Sequence, residues 1–501
     1  MTDILWFFVF AQMLMGAFDT LYHHEGKERL AWRPSQRLEL TLHGVRNLAY
    51  AVMFVALGWF EPQGWWAIAL IALLLGELFI TLWDFVEEDR TRLLPASERV
   101  THTLLTLNYG VILAMLIPWL VSLAGQQSAP GSAYHGLMSW FCVLAAIGVI
   151  ISGLRDLAAA KRTERLTERN AGELASALPD SQSVLVTGAT GFIGRRLVAA
   201  LLGAGHDVTV LTRDKVKAQP LAEYGPLRIV ESLDEVLDNA CIDAIVNLAG
   251  EPISDTPWTK DKRIRIVQSR LRATYDVIRL IKRLKRKPGV LINGSAIGWY
   301  GLRDNEPMTE ASEGTDCFSR RVCTAWERAA EGAQDLGVRT VVLRTGLVLD
   351  RSGGMLAKLL TPFEFGLGGR FGDGKHWMSW IHRDDLVRLI IHAIARQEVS
   401  GPLNGTAPEP VTNADFTKAL GRALARPAML PVAAWPLHAA LGDFAEELLL
   451  SGQRVLPTEA LRSGFVFEYP AIDAAFAQIV GEPKAHQKQK PASRSSLAFT
   501  G

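Results

Sequence analysis

Cysteine is scarce in this chain. The four present, Cys142, Cys241, Cys317 and Cys323, show neither a Cys-x-x-Cys spacing nor a disulfide framework. Zinc ribbons and disulfide-stapled scaffolds are therefore excluded, and a reducing compartment fits. Charge bias is also missing, since 53 Lys and Arg stand against 52 Asp and Glu for a formal net charge of +1, which gives a nucleic-acid partner no support. The N-terminus lacks a basic stretch before its first apolar run and a small-residue cleavage site after it, so that run is not read as a cleaved signal.

The first third of the chain is strongly apolar and the rest is an ordinary α/β mixture. Five apolar segments, Ile4 to Phe18, Val45 to Phe60, Trp65 to Trp83, Thr103 to Ala124 and Leu137 to Leu154, are long or extendable enough to cross a bilayer. They define a membrane domain of residues 1–156. Lys27, Arg29, Arg33, Arg37 and Arg46 lie between segments one and two, Arg90, Arg92 and Arg99 between three and four, and Arg155, Lys161 and Arg162 after five; the other two connections carry no Lys or Arg. The positive-inside rule puts the N-terminus outside and everything after segment five in the cytoplasm.

The same side gathers Asp19 and His23, Glu39 and His43, Asp84, Glu87 and Glu88, and Glu98 and His102, with His24 and Glu25 nearby. Three of these are carboxylate-x-x-x-His pairs, which share one helix face. Three readings stay open: interfacial groups paired with the many arginines, a metal or haem site of the kind built inside helical bundles, or a proton or substrate path. No residue is assigned as a metal ligand on the sequence alone. Glu77 lies inside the third segment, where an ionisable side chain is a functional candidate.

The soluble part is organised around Ser183 to Asp214, SVLVTGATGFIGRRLVAALLGAGHDVTVLTRD. It reads as strand, glycine turn, helix, a Gly205 stop, and a second strand at Val208 to Leu211. Gly188 suits the tight turn, Gly191 lets backbone approach a pyrophosphate, and Gly194 lets helix and strand pack closely. Amides at the helix N-terminus then meet the phosphates. The second strand ends in Thr212-Arg213-Asp214. An Arg there suits a 2′-phosphate, so NADP is favoured over NAD, although Asp214 keeps NAD open. Further strands at 227–230, 244–246, 290–292 and 340–343 alternate with amphipathic helices, which predicts a doubly wound parallel sheet. Asn247 to Glu251 follows a strand end, where the cofactor is expected along the backbone. Between the halves, residues 157–182 are read as a linker continuing segment five as a polar helix until Pro179. Residues 482–501 are polar, basic and aperiodic, and are read as a disordered tail.

TGATGFIG (187–194), NLAG (247–250) and GSAIGWYG (294–301) resemble an extended short-chain dehydrogenase/reductase. The later runs 343–356, 362–386, 403–416 and 448–457 are similar to its atypical, epimerase-like subfamily (NAD-dependent epimerase/dehydratase) that ends in a small domain of unknown function. The resemblance covers about 183–480 and leaves the membrane segment outside it. It implies a Rossmann-like domain at 183–425 and a small helical cap at 426–481 over the substrate side. It also implies NADP against Gly188, Gly191, Phe192, Ile193, Gly194, Thr212, Arg213, Leu248, Ala249, Gly250, Arg270 and Val348; from its own helix, Arg270 reads equally as part of a solvated basic face. Such reductases use a Tyr, a Lys four residues on, and a Ser. Ser295 matches the Ser, but the Tyr and Lys positions fall on Ser319 and Cys323, which supply neither a phenol nor a fixed positive charge. Tyr300 is the replacement proton donor considered, with packing beside Trp299 as its alternative. His382, Asp384 and Asp385 lie at a strand-to-helix turn, where Asp384 reads as a helix cap or a catalytic group.

The expectation is a membrane-anchored, NADP-dependent oxidoreductase or epimerase-like protein acting on a small or lipid-soluble carbonyl compound. Two alternatives accompany it: a domain that senses NADP(H) without turnover, and a reductase partner of a metal site in the membrane bundle. No oligomeric state follows from the residues.

Overall fold

Apolar helices and alternating strands divide the computed structural model as they divide the sequence. It describes residues 2–92, 94–166, 168–178, 180–303 and 305–481. The break expected at Pro179 and the tail expected at 482–501 lie outside those residues. Two compact units form, one of Met1–Thr167 and the other of Glu168–Glu482.

The first unit is all helical: α1 (Asp3–Phe18), α2 (Arg37–Trp59), α3 (Trp65–Thr91), α4 (Ala96–Ala124) and α5 (Leu137–Thr163). With the turns flanking α1 and α2 included, five helical stretches are long and apolar enough to cross a membrane. The helices reach past the apolar runs that announce them. α2 begins at Arg37, not near Val45, and α4 at Ala96, not near Thr103, so Glu39, His43, Glu98 and His102 stand in the first turns of their helices, as the shared-face spacing of each pair expects. After α1 the chain continues through wider π-type turns, Asp19–Glu28.

Helix α2 lies against α5 at backbone distance. A Cβ on Gly153 would come 2.9 Å from the Gly44 carbonyl oxygen, and one on Gly58 would come 2.7 Å from Cys142 Cβ. Small residues permit this approach, which is how helices associate where apolar surface gains nothing by leaving lipid. Leu70, Leu74, Ile112, Leu116 and Leu120 fill the interior between α3 and α4. Helix α5 stops at Thr163 and does not run on through the following Arg- and Glu-rich stretch. Part of the expected linker belongs to the second unit instead, where a short turn, Ala171–Ala175, buries Leu174 and Ala175 in the core beneath the next helix.

That unit is built on seven parallel strands: β1 (Ser183–Thr187), β2 (Asp207–Leu211), β3 (Leu227–Val230), β4 (Ala244–Asn247), β5 (Val290–Ala296), β6 (Arg339–Thr345) and β7 (Gly401–Gly405). Their order across the sheet is β7-β6-β5-β4-β1-β2-β3. The order reverses between β1 and β4, and the crevice at that point, beyond the carboxyl ends, is where doubly wound sheets bind ligands. The helices that matter for the site are α6 (Phe192–Gly203), α7 (Lys260–Arg283), α8 (Phe318–Glu331), α9 (Gly354–Glu364) and α10 (Arg383–Ala395). The C-terminal segment is woven into the same unit. Arg454–Val455 pairs with Pro307–Met308, and the helix Ile472–Val480 packs Phe476 edge-on against Phe416 at 5.0 Å.

Candidate functional site

The switch point is lined by the turn after β1. Gly188 sits at φ +68°, and a Cβ there would come 2.7 Å from the Leu248 carbonyl carbon. A Cβ on Gly194 would overlap the Gly188 carbonyl oxygen and come 2.8 Å from Ala189 Cα. Neither position has room for another residue. Gly191 is the residue before α6 and is exposed, so the first amides of α6 open toward the crevice. Ile193 packs on the sheet core, while half-buried Phe192 lies against Gly353 and under the Arg383 guanidinium at 5.8 Å.

The carboxyl end of β2 bears on cofactor choice. Thr212 is buried and its hydroxyl accepts from the Asp214 amide at 3.2 Å. Asp214 caps the following turn by accepting from the Lys217 amide at 3.2 Å. Its carboxylate is thereby engaged locally. Arg213 is exposed and makes no hydrogen bond or ion pair among the described residues.

Beyond β1 and β4 a buried polar chain fixes the crevice floor. Thr187 donates to Asn247 Oδ1 at 2.6 Å, and Asn247 Nδ2 donates to Asn293 Oδ1 at 2.7 Å and Thr274 Oγ1 at 3.0 Å. The Ala249 amide donates to the Thr187 hydroxyl at 3.2 Å, which places Leu248, Ala249 and Gly250 along the crevice edge. Arg270 of α7 reaches this edge and does not lie on a solvated face. Its guanidinium donates to the carbonyls of Glu251 and Ile266, stacks 5.0 Å from Trp326, and would touch a Cβ on Gly250 at 3.1 Å. It has no carboxylate partner among the described residues, and burial pushes its pKa below the usual guanidinium value. Val348 pairs with Ile381 and packs on the core behind Gly354.

Ser295 and Tyr300 do not form a pair. The Ser295 hydroxyl donates to Glu327 Oε1 at 2.6 Å, and Glu327 in turn receives the Arg344 guanidinium on both oxygens at 3.1 and 3.0 Å. Tyr300 is fully buried and donates to Asn404 Oδ1 at 2.7 Å, with Arg344 stacked 4.1 Å from Trp299 beside it. Burial raises the phenol above its ordinary pKa, which makes it a weaker acid. The structure thus gives Tyr300 the packing role of the two weighed for it. Glu327 and Arg344 are the members that residue-type reasoning passed over, although Arg344 lies in the run 343–356 that carries the family resemblance.

Where the family has its Tyr and Lys, Ser319 donates to Glu447 Oε2 at 2.6 Å, and Glu447 also accepts from the Phe318 and Ser319 amides at 2.9 Å each. A carboxylate from the C-terminal segment therefore closes the start of α8, a contact that the apolar and helical pattern of that segment did not announce. Cys323 is buried, and burial pushes its thiol up to about 11, so it brings no charge. Asp384 neither caps nor faces the crevice. It takes Arg196 of α6 on both oxygens at 2.8 Å, and the cap of α10 is His382, whose Nδ1 accepts from the Asp384 amide at 3.2 Å. Asp385 accepts from the amides of Glu468 and Tyr469 at 3.0 and 2.8 Å.

Comparison with known proteins matches this unit. The model of the NAD dependent epimerase/dehydratase family covers residues 184–404, and that of a domain of unknown function (DUF1731) covers 432–479. A chloroplastic homolog of epimerase family protein SDR39U1 from Arabidopsis thaliana is 40% identical over 316 residues, 61% of this chain and 89% of that protein. Epimerase family protein YfhF of Bacillus subtilis is 36% identical over 303 residues, 60% of this chain and 99% of that one. The crystal structure of human SDR39U1 (isoform 2) with NADPH superposes with a TM-score of 0.54 at 34% identity, covering 60% of this chain and all of that one. With a cradle at the sheet's reversal point and both segments matched, the chain belongs to the NAD dependent epimerase/dehydratase family.

Proposed function

We propose that the chain is a membrane-anchored, NADP(H)-dependent oxidoreductase of the epimerase type, acting on a small or lipid-soluble carbonyl compound. The observation that carries the cofactor reading is Arg213, exposed and unpaired among the described residues at the end of β2 while Asp214 is engaged as a cap. The free guanidinium suits a 2′-phosphate and the capped carboxylate is a poor ribose ligand. The NADPH in the human relative's crystal structure agrees. When bound, NADPH would supply the hydride; the Gly188–Gly194 cradle would hold its pyrophosphate and Arg270 would border it. The helices of the first unit support anchoring, and their Lys and Arg distribution supports a cytoplasmic second unit.

Titration of the detergent-purified full chain tests this. Arg213→Ala is expected to weaken NADPH binding by about 10- to 100-fold, the worth of a charge-assisted contact, and to leave NADH affinity within about twofold of the parent. Equal losses for both coenzymes, or none, would overturn the assignment of Arg213.

A second reading, NADP(H) sensing without turnover, is favoured by one specific observation: Ser319 and Cys323 stand at the Tyr and Lys positions, and Tyr300 is sealed against Asn404. NADPH consumption over a broad carbonyl panel separates the two. Oxidation above the protein-free rate with any member supports the enzyme, and tight binding with none supports the sensor.

A further inference from the structure

The first unit contains a second constellation, independent of the nucleotide site. Carboxylates and imidazoles from four consecutive stretches, the π-type turns at Asp19–Glu28 and helices α2, α3 and α4, converge inside the bundle. Asp19, Glu39, Asp84, Glu88 and Glu98 are all buried, against two buried or half-buried guanidinium groups, Arg46 on Asp84 and Arg92 on Glu39, Glu88 and Glu98. Arginine pairing is thus present, and the groups face the interior of the bundle. Charge this deep is costly unless it is balanced, and besides the two guanidinium groups the five carboxylates meet only imidazoles, those of His23, His24, His43 and His102, among the described residues.

Two subsets have ligand atoms within 4.8 Å of one another: His24, Glu88, Glu98 and His102, and Glu39, His43 and Glu88. Glu88 belongs to both. The outer nitrogens are already held as metal-bound imidazoles are held, by carboxylates behind them. His102 Nε2 lies 3.1 Å from Asp19 while its Nδ1 turns toward Glu88, and His43 Nε2 lies 2.9 Å from Asp84. The independent sign of a missing ligand is that His24 Nε2 and Glu88 Oε2, on residues only 6% and 0% exposed, make no hydrogen bond and meet their neighbours Asp19 and His102 only at 3.4 Å. Buried polar atoms are rarely left so. The π-type turns that present His24 are themselves rare and recur at functional sites.

We propose that this end of the bundle holds a pair of transition-metal ions, one ligated by His24, Glu98 and His102, the other by Glu39 and His43, with the Glu88 carboxylate shared between them. The mixed nitrogen and oxygen donor set suits iron, manganese or zinc. Glutamates and histidines projecting from facing helices are how bundles build paired-metal sites. The Glu39/His43 spacing of four, where three is usual, still puts both groups on one face. Without metal, Arg92 supplies the positive charge among the carboxylates.

The test uses the full chain in detergent, stripped with chelator and reloaded anaerobically with Mn(II), and in parallel with Fe(II) and Zn(II). About two equivalents per chain are expected, with an exchange-coupled Mn(II) electron paramagnetic resonance spectrum. Glu88→Ala should lose both the coupling and most of the metal, and the exposed-site control Asp89→Ala should lose neither. If Glu88→Ala is not monodisperse on size exclusion, Glu88→Gln replaces it, and the parent's spectrum still decides. No stoichiometric metal in a monodisperse parent, a single uncoupled ion, or two ions that persist without the Glu88 carboxylate each overturn the proposal and leave an ion-pair network closed by Arg92.

Discussion

Asp384→Ala is expected to destabilise the second unit by about 3–5 kcal/mol, because it strands the buried Arg196 guanidinium, whose only carboxylate at hydrogen-bond distance among the described residues is removed. Arg196 lies on α6 directly after the glycine cradle, and it also donates to the Arg169 carbonyl at 3.0 Å. The pair therefore ties α6 to α10 and to the chain entering β1. Burial alone would raise the Asp384 carboxyl, but the hydrogen bonds and charge of Arg196 outweigh it and hold the pKa below the ordinary value. A depressed folded pKa contributes stability above the unfolded value of about 3.9 that is lost as pH falls through the folded one. Acid should thus weaken the parent in that window and leave Asp384→Ala less affected. Calorimetry of the full chain, following the second unit's transition, gives the measurement, and the double variant Arg196→Met/Asp384→Leu should recover most of the loss, as apolar replacements of buried pairs do. A single-variant cost under about 1 kcal/mol, the range of exposed ion pairs, would show that water reaches the pair and that its burial does not insulate it.

That pair marks where reading the sequence stops. Strand, turn and helix from Ser183 to Leu211 are legible because a glycine triplet between two apolar runs has one local solution, and the strands to Leu343 follow from alternation alone. The five apolar helices are legible from composition, and their true starts are not, since Arg37–Gly44 and Ala96–His102 are polar and become helical by packing their acids and histidines inward. Long-range partners leave no local trace. Asp384 meets a residue nearly two hundred positions earlier, Tyr300 meets Asn404, and Ser319 meets Glu447. Each of those side chains, judged by type and neighbours alone, offered a helix cap, a proton donor and a vacancy respectively. Three-dimensional contact reassigns all three to structure, which is why the chemistry of this site was less legible than its cofactor.

The glycine cradle supplies the sharpest separation of fold from binding. Gly194→Val is expected to abolish measurable NADPH binding, a loss above 100-fold or about 3 kcal/mol, because its Cβ would overlap the Gly188 carbonyl oxygen and drive α6 off β1. Such a variant is also expected to unfold early, so on its own it cannot distinguish a broken site from a broken sheet. Gly191→Ala does. Gly191 has φ −78°, which alanine adopts without strain, and among the described residues the added methyl meets the Gly188 oxygen alone, closely, at 3.1 Å. Stability should change by less than about 1 kcal/mol, yet the methyl stands where a pyrophosphate must come against the backbone. On the proposed reading NADPH affinity falls about tenfold or more while the unfolding midpoint holds. Unchanged affinity in Gly191→Ala would mean that the phosphates do not sit over this turn, and the assignment of the crevice would have to be abandoned even though the fold around it stands.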